Sequence, residues 1–436
     1  MLRKTLITAS CIGAIGALWL SVLVNAAPKS DSRSTVVEAA MRGDRDAVRS
    51  LLKEGDDVNS AQPDGMTALH WAVQKNDVEL AKLLLYGGAN VRATTRIGGY
   101  TALLIASKNG QTAMIDTLLA AGADAKSATA NGATALMLAS QAGNADAVKM
   151  LITHGADVNA VEQVKGESAL YFAAAYGRAD VVRVLTASGA NPNVTTKVIN
   201  LDAFNKEEQE RFAQFQQQAG QAAGRGGQAG AAGAGAAQGR GGRGFNPNAK
   251  PGIDRQYNYT ELVGYWGGLA PLHIAARQGE IGAVKALLDA HADVNQPSAG
   301  DKVTPILVAT INGNFDVAKY MLDHGADPKL AQENGVTPLY AALNCQWADK
   351  ALYPQPRAQE QQQLSYLDMM QALLDKGADP NARLRRKVWY SQYDFDQSGI
   401  DEAGATALWR AAYADDIDAM KLLVKYGADV NLATMR

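Results

Sequence analysis

The chain has 436 residues, which is enough for several domains or for one long repeat array. Charged residues make up 20% and hydrophobic residues 47% of the composition, as is ordinary for a folded soluble protein. The formal net charge of −2 lacks the strongly basic balance of most nucleic-acid-binding proteins, so no nucleic-acid partner is predicted.

The first residues are typical of a targeting segment. Arg3 and Lys4 give a positive start, residues 6–24 are apolar and uncharged, and a peptidase site follows at Ala26. A signal peptide over residues 1–26 and a secreted or periplasmic location are therefore predicted. The alternative is an uncleaved membrane anchor, because residues 6–24 are nearly long enough to span a bilayer. Both alternatives place the body of the protein outside the cytoplasm, since the positive end stays inside.

Two short phrases recur along the rest of the chain. The first is T-A-L-H-W-A at residues 67–72, and the second is G-A-D-V-N, found for example at residues 155–159. Starts of the first phrase lie 33 or 34 residues apart within each block of the chain. They fall at Ser34, Thr67, Thr101, Thr134, Ser168, Ala270, Thr304, Thr337 and Thr406.

The residue types in these phrases predict a pair of helices in each unit. Thr67 can accept hydrogen bonds from the free N–H groups of a helix that begins there. Val148 and Leu151 belong to an apolar stripe at helical spacing, which Gly155 then ends because glycine adopts the left-handed conformation easily. One unit cannot bury its own apolar face, but a stack of units can. The sequence therefore predicts an all-α solenoid.

The phrases resemble the ankyrin repeat, with its 33-residue period and T-P-L-H-x-A motif. Residues 270–275, A-P-L-H-I-A, come closest to that motif. The resemblance, to exported bacterial members of the family, implies about nine helix-turn-helix repeats with loop insertions. Repeats one to five would occupy residues 34–193, repeats six to eight residues 265–381, and repeat nine residues 404–436.

The first interruption of the period covers residues 194–264. A short helix is predicted from Asn205 to Gln218, with Asn205 and Glu208 forming a capping box. Residues 219–250 are mostly Gly, Ala, Gln and Arg and cannot bury a core, which favours a disordered linker over an RNA-binding segment. Four aromatic residues follow this linker and either pack the insert's return onto the solenoid or face a ligand: Tyr257, Tyr259, Tyr265 and Trp266.

A second insert, residues 382–403, is predicted to be a long loop that projects from the loop edge of the solenoid. It starts basic, then turns aromatic and acidic. Asp394 to Gly399 resemble the start of an EF-hand calcium loop, but the twelfth position is Ala405, where a bidentate Glu is needed. A polar turn is therefore favoured over a calcium site.

The histidines and cysteines are accounted for without catalysis. The resemblance assigns His70 and His273 a structural hydrogen bond. Removal of the signal peptide would also remove Cys11, leaving Cys345 with no disulfide partner and no evident histidine partner. The sequence shows no phosphate loop and no zinc-ligand spacing. We therefore predict no enzyme activity, no metal and no cofactor. The remaining histidines end outer helices, where a cation is favourable: His154, His291 and His324.

The predicted function is the binding of another protein. By resemblance, the binding surface is the concave face, which combines the loop tips with the exposed side of the inner helices. The predicted partner-binding residues are Gln74, Lys75, Tyr100, Lys108, Asn109, Tyr176, Arg277, Gln278, Asn312 and Tyr413.

Two alternatives of other kinds remain. One is a structural envelope component that assembles with itself, because repeat nine is a full-consensus unit where a polar terminal cap is expected. We expect either a chain that continues or an apolar end that needs a partner. Self-association would then use residues 406–436, and a charged residue at Leu423, or at whichever apolar residue there is exposed, should relieve it. The other is a calcium-dependent accessory of an envelope enzyme.

Overall fold

A computed structural model describes residues 35–223, 263–347, 357–388 and 402–434. The predicted signal peptide lies outside these residues, as do most of the glycine-rich linker and the segment that resembles a calcium loop. Among the described residues, no helix is long and apolar enough to cross a membrane.

Within the described parts of the chain, nine helix pairs stack in order, which confirms the predicted all-α solenoid. A 3-10 helix, Ala358–Gln361, precedes the outer helix of repeat eight. The pairs, inner helix first, are Val36–Arg42 and Arg45–Lys53, Ala68–Gln74 and Val78–Tyr86, Ala102–Lys108 and Thr112–Ala120, Ala135–Ala142 and Ala145–Thr153, Ala169–Ala175 and Ala179–Ala187, Pro271–Gln278 and Ile281–Asp289, Pro305–Ile311 and Phe315–Asp323, Pro338–Trp347 and Tyr366–Asp375, and Ala407–Tyr413 and Ile417–Lys425.

Local chemistry explains where these helices begin and end. Thr101 caps an inner helix, since its hydroxyl accepts a hydrogen bond from Leu104 N at 3.3 Å. Gly155 follows an outer helix with φ of 90°, the left-handed conformation expected of glycine there. Alanines such as Ala72 and Ala106 are fully buried, which lets neighbouring inner helices pack closely. One apolar core runs through all nine repeats as a result.

The buried histidines bind successive repeats together. His70 Nε2 lies 3.1 Å from the carbonyl oxygen of Tyr100, which belongs to the next repeat. His273 Nε2 lies 3.0 Å from Val303 O in the same way, while Ala270 N donates to His273 Nδ1 at 3.2 Å. These bonds agree with the structural role that the resemblance implies.

The histidines that end outer helices differ among themselves. His154 Nδ1 lies 2.9 Å from Met150 O, and His324 Nδ1 lies 2.7 Å from Tyr320 O, so both face the carbonyl end of their own helix. His291 instead takes the glycine position of the second phrase and has a φ of 61°.

An asparagine near the end of the second phrase connects many repeats to the next one. Asn295 is representative: its Nδ2 donates to Gly325 O at 3.0 Å, and its Oδ1 accepts from Asp327 N at 2.7 Å. Asn193 Oδ1 accepts from Asp293 N at 2.9 Å, so repeats five and six stack as direct neighbours despite the insert between them. The same bridge is made by Asn59, Asn159 and Asn381.

We use the name finger for the loop that joins consecutive repeats. Each finger after the first donates a backbone hydrogen bond of 2.7–3.0 Å to the previous finger, so the fingers form a continuous ladder along one edge of the solenoid. The donor and acceptor residues are Arg96 and Asp64, Ala130 and Gly98, Gln163 and Asn131, Lys197 and Lys165, Ala299 and Gly268, Glu333 and Asp301, and Arg385 and Asn334.

The first insert extends from the tip of the finger between repeats five and six. Strand β1, Val198–Asn200, pairs antiparallel with strand β2, Tyr265–Gly267, and a helix of 23 residues, Leu201–Ala223, follows β1. The helix predicted from Asn205 to Gln218 is present, but its predicted start and cap at Asn205 are wrong. Asn205 lies inside the helix, and Asn200 Oδ1 accepts from Ala203 N at 3.1 Å instead.

Two of the four aromatic residues that follow the linker lie in β2, whereas Tyr257 and Tyr259 lie outside the described residues. The Tyr265 side chain packs against the next finger, where a Cβ built on Gly300 would lie 3.0 Å from Tyr265 Cβ. Trp266, its neighbour in the strand, is exposed. Packing on the solenoid therefore holds for Tyr265 but not for Trp266.

Candidate interaction site on the concave face

A groove of about 300 Å³ opens on the concave face of repeats two and three. Its walls come from two fingers and from the C-terminal ends of two inner helices. The lining residues are Asp64, Met66, Gln74, Thr95, Ile97, Tyr100, Ile105, Lys108 and Asn109.

The finger between repeats two and three is held in a sharp turn. Gly98 and Gly99 have φ values of 78° and 65°, a region that disfavours other residues. A Cβ on Gly98 would lie 2.7 Å from Tyr100 Cε2, so the tyrosine ring can occupy this place only above a glycine. Thr95 Oγ1 donates to Ile97 O at 2.8 Å and accepts from Tyr100 N at 3.0 Å. This turn leaves the Ile97 side chain 81% exposed beside the Tyr100 ring.

The groove has an apolar floor and a polar rim. Lys108 Nζ lies 5.7 Å from the centroid of the Tyr100 ring, a distance that allows a cation–π attraction. Gln74 and Asn109 are exposed at the ends of their inner helices. Asp64 Oδ1 accepts from Met66 N at 2.9 Å and so supports the turn of its own finger. Such a groove can take an apolar side chain and can hydrogen-bond the segment that carries it.

The structure brings four of the predicted partner-binding residues together in this groove: Gln74, Tyr100, Lys108 and Asn109. The other six lie outside this groove, and five of them belong to later repeats. Lys75 lies over Gly43 of repeat one. Tyr176 accepts a hydrogen bond from Gln141 Nε2 at 2.8 Å, between repeats four and five. Arg277 and Gln278 are exposed in repeat six.

The last two predicted residues belong to the C-terminal repeats. Asn312 donates its Nδ2 to Val308 O at 2.8 Å, so its amide is engaged with its own helix. Tyr413 stacks on Trp409, with ring centroids 5.4 Å apart, and the Arg410 guanidinium lies 5.8 Å from its centroid.

Ionisable groups also cluster on the concave side of repeat five. Burial raises the pKa of Tyr171 to about 12, and the Glu167 carboxylate adds to this effect while Arg277 opposes it. Burial likewise raises the pKa of Glu167. Glu167 and Arg277 are therefore close enough to act on one phenol, although they come from repeats that the insert separates in sequence.

The sequence prediction missed Ile97 and Ile105. Ile97 carries a usable signal, since it is an apolar residue at a finger tip directly before two glycines. Ile105 carries no such signal, because its position in the inner helix matches the helical spacing of core residues.

A larger apolar groove, of about 750 Å³, lies on the end face of repeat nine. Its exposed apolar residues are Ile417, Val424 and Val430, and its rim includes Lys421 and Asp429. Of the two options for a charged substitution, Leu423 itself is excluded, and the exposed apolar residues take its place. Leu423 is 0% exposed, because it points from the outer helix into the core.

Residues that could hold a metal are not grouped in the described ranges: no three His, Cys, Asp or Glu side chains there come together as a site. Glu402 borders the segment that resembles a calcium loop, and its Oε2 accepts from Val388 N at 3.4 Å.

Comparison with known sequences shows the same repeat. Family models described as "Ankyrin repeats (3 copies)" match residues 36–129, 103–196 and 272–383, and one described as "Ankyrin repeat" matches residues 403–435. The chain is 37% identical over 84 residues to the ankyrin repeat and SAM domain-containing protein 6 of Rattus norvegicus, covering 19% of this chain and 9% of that protein.

Two other relatives give similar matches. Identity to the ankyrin repeat and SOCS box protein 3 of Bos taurus is 34% over 102 residues, 23% of this chain and 19% of that protein. Identity to the Notch-regulated ankyrin repeat-containing protein of Homo sapiens is 40% over 77 residues, 17% of this chain and 67% of that protein. The matches to the rat and bovine proteins therefore span far less than two thirds of their lengths.

Proposed function

The chain belongs to the ankyrin-repeat family, and on that premise we propose that it binds a partner protein outside the cytoplasm through the groove of repeats two and three. Ankyrin repeats form protein–protein interaction domains, and proteins built from them are generally non-enzymatic scaffolds. The location rests on the N-terminal sequence, where Arg3 and Lys4 precede the uncharged apolar residues 6–24.

The observation that carries the proposal is the exposed Ile97 on a rigid finger. Apolar residues exposed singly are common, but here Ile97 adjoins Tyr100, Met66 and Ile105 in one groove. Tyrosine beside an apolar contact is a frequent energetic centre of protein interfaces. Lys108 stands at the rim and favours a partner segment with an acidic group next to its apolar anchor.

We expect a photo-cross-linking amino acid at Ile97 to capture the partner from the envelope or secreted fraction. The same amino acid at Tyr86 should capture nothing specific, since Tyr86 is also exposed but lies on the outer helix of repeat two. With the captured partner in hand, Tyr100→Ala should weaken binding by at least about tenfold, because a central aromatic contact is worth roughly 1.4 kcal/mol or more.

Cross-linking from Tyr86 but not from Ile97 would contradict a concave binding site. An unchanged affinity in Tyr100→Ala, measured by calorimetry, would exclude this groove as the centre of the interface.

The end face of repeat nine favours a second function, self-association. Its groove is apolar, whereas in repeat one an exposed serine, Ser50, occupies the helix position that Leu83 and Leu422 hold in later repeats. The rim carries both Lys421 and Asp429, so two copies can face each other with opposite charges aligned.

Self-association through this face should be broken by Val424→Asp, because a charge in an apolar interface is costly to bury. Light scattering at micromolar concentrations should show dimers for the natural chain and monomers for the variant. Val164→Asp is the matched control, since Val164 is an exposed valine on a distant finger. A natural chain that is monomeric throughout this range would defeat the idea.

A further inference from the structure

A row of apolar side chains runs along the floor of the concave face. It consists of the fourth residue after the capping Thr or Ser of repeats two to five, here called the concave row: Trp71, Ile105, Leu138 and Phe172. Three of these side chains are half-buried, and Leu138 is 9% exposed. The matching residues of the next three repeats are covered more completely, since Ile274 and Val308 are 6% and 7% exposed and Ala341 is 1% exposed. The open part of the floor therefore spans repeats two to five.

The spacing of the concave row favours one conformation of a bound segment. Adjacent inner helices pack about 8–10 Å apart, so the row offers one apolar contact at that interval. A β-strand presents the same face at intervals of about 6.6 Å, which does not match. A polyproline II segment has three residues per turn and rises about 3.1 Å per residue, so every third side chain points the same way at intervals of roughly 9 Å. Such a segment can place one apolar side chain on each member of the row.

The groove of repeats two and three also suits an extended segment better than a helix. The Tyr100 ring and Lys108 Nζ line the same groove as Ile105 and lie 5.7 Å apart, whereas an α-helix with its side chains is about 10–12 Å wide. Trp71 Nε1 donates to Gln62 Oε1 at 3.1 Å, which holds the indole in place. Grooves lined by aromatic side chains are a recurring way to recognise polyproline II segments, whose preformed backbone loses little entropy on binding.

The concave side of these repeats carries an excess of positive charge. The inner helices of repeats two to six, which the structure describes over their whole length, contain no Asp or Glu. Lys75, Lys108 and Arg277 are exposed at or directly after their C-terminal ends. On the convex side, by contrast, lysines of the outer helices pair with carboxylates, as Lys149 does with Asp146 at 3.6 Å.

Carboxylates of the fingers offset the positive charge only in part. Glu167 lies 3.9 Å from Lys165 Nζ, so a lysine of its own finger already balances it. Asp64 Oδ1 accepts from Met66 N at 2.9 Å and holds the turn of its own finger. The three cations of the inner helices remain in excess, and an acidic segment is therefore complementary to this surface.

We propose, on the premise that the groove of repeats two and three is the binding site, that the recognised part of the partner is an acidic segment in the polyproline II conformation. It carries an apolar residue at every third position and lies along the concave row from repeat two to repeat five. Its carboxylates face Lys75 and Lys108, with a terminal one at Arg277 of repeat six. Proline suits such a segment, because it fixes φ close to the value of this conformation.

Selection of random twelve-residue peptides, displayed on phage, against the immobilised full chain tests this segment. Enriched peptides should be acidic, contain proline and repeat an apolar residue at every third position. In fluorescence anisotropy, their labelled synthetic forms should bind Phe172→Gln at least about fivefold more weakly than the natural chain, because the contact in repeat five is lost. Phe212→Gln is the matched control and should bind normally, since Phe212 is an exposed phenylalanine on the insert helix.

The charge is tested with exposed residues alone. Lys75→Glu/Lys108→Glu should weaken binding of the same peptides at least about fivefold at low salt and less at high salt. Lys82→Glu/Lys149→Glu, on the outer helices, should leave it unchanged. Circular dichroism establishes the helix content of each variant. If Phe172→Gln loses helix, the lysine variants decide the question, because they alter only exposed side chains.

Enriched peptides with another spacing, such as apolar residues seven apart on a helix, would overturn the proposed segment. Unchanged binding to Lys75→Glu/Lys108→Glu would overturn it as well, and so would a chain that enriches no peptide. The binding site itself is judged separately. Peptides of any pattern that lose affinity in Tyr100→Ala would still support the groove, whereas peptides indifferent to Tyr100→Ala would count against both.

Discussion

Lowering the pH from about 6.5 to 4 should reduce the free energy of unfolding by roughly 3 kcal/mol through His273 alone. Burial lowers the pKa of His273 to about 4, against an ordinary value of 6.5, although the Val303 carbonyl partly opposes this. Between these values the unfolded chain binds a proton that the folded chain excludes, so acid favours unfolding. The stabilisation is complete above pH 6.5 and is lost as the pH falls through 4. Burial lowers the pKa of His70 too, which adds to the effect.

His273→Leu separates this contribution from that of the carboxylates, which titrate at lower pH. Leucine fits this place in the repeat, because Leu307 occupies it in repeat seven. The variant should lose about 1–3 kcal/mol at pH 7, since Ala270 N and Val303 O lose their partner, but its stability should depend less on pH between 6.5 and 5. Urea unfolding at several pH values measures both. His154→Leu, at an exposed helix end, is the control, and an equal pH slope in all three proteins would contradict the assignment to His273.

Asp416→Ala is expected to cost about 3 kcal/mol, and the loss should be concentrated in repeats eight and nine. Asp416 caps the last outer helix, where its Oδ1 accepts from Ala419 N at 3.0 Å. Its Oδ2 also accepts from Trp347 Nε1 at 2.8 Å and from the Tyr366 hydroxyl at 2.9 Å, both in repeat eight. Alanine removes the cap together with both bonds between the repeats. Hydrogen exchange should show faster opening of residues 402–434.

Asp44→Ala is the matched control for that change. Asp44 makes the same capping contact, to Ala47 N at 3.0 Å, but it is exposed at the start of the solenoid. We expect its loss to cost only about 1 kcal/mol, the ordinary value for a helix cap. If the two variants lost the same stability, Asp416 would act as a cap and not as a connection between repeats.

The predicted partner-binding residues show how far position within a repeat determines function. Tyr100 and Lys108 both line the groove, as their positions within the repeat predict. Asn312 occupies the place of Asn109 but bonds its own helix, and Asn344, at the place of Lys108, is buried. The spacing specifies which side of a helix a residue is on. Whether that side is open depends on side chains from other repeats: Arg410 of repeat nine donates from Nε to Asn344 Oδ1 at 2.8 Å.

The start of the insert helix depends on the same kind of distant contact. Asn205 and Glu208 have the residue types of a capping box, and nothing in their neighbourhood argues against it. The helix starts earlier because β1 pairs with β2, which follows the insert in the sequence. This pairing places Asn200 at the start of the helix, where its side chain caps it. The sequence around Asn200 does not indicate that β1 pairs with β2.

By itself the sequence determined the repeat unit, the helix pairs and the stacked core. These depend on contacts within a repeat or between adjacent repeats, and the caps, alanines and glycines that make them recur at a constant spacing. Only the tertiary structure decided that repeats two and three keep an open groove, that repeats seven and eight are covered, and that Leu423 is buried while Val424 is exposed. The physical reason is that burial of a surface depends on every segment that packs against it. The inserts pack against the repeats, but their sequences do not follow the repeat pattern.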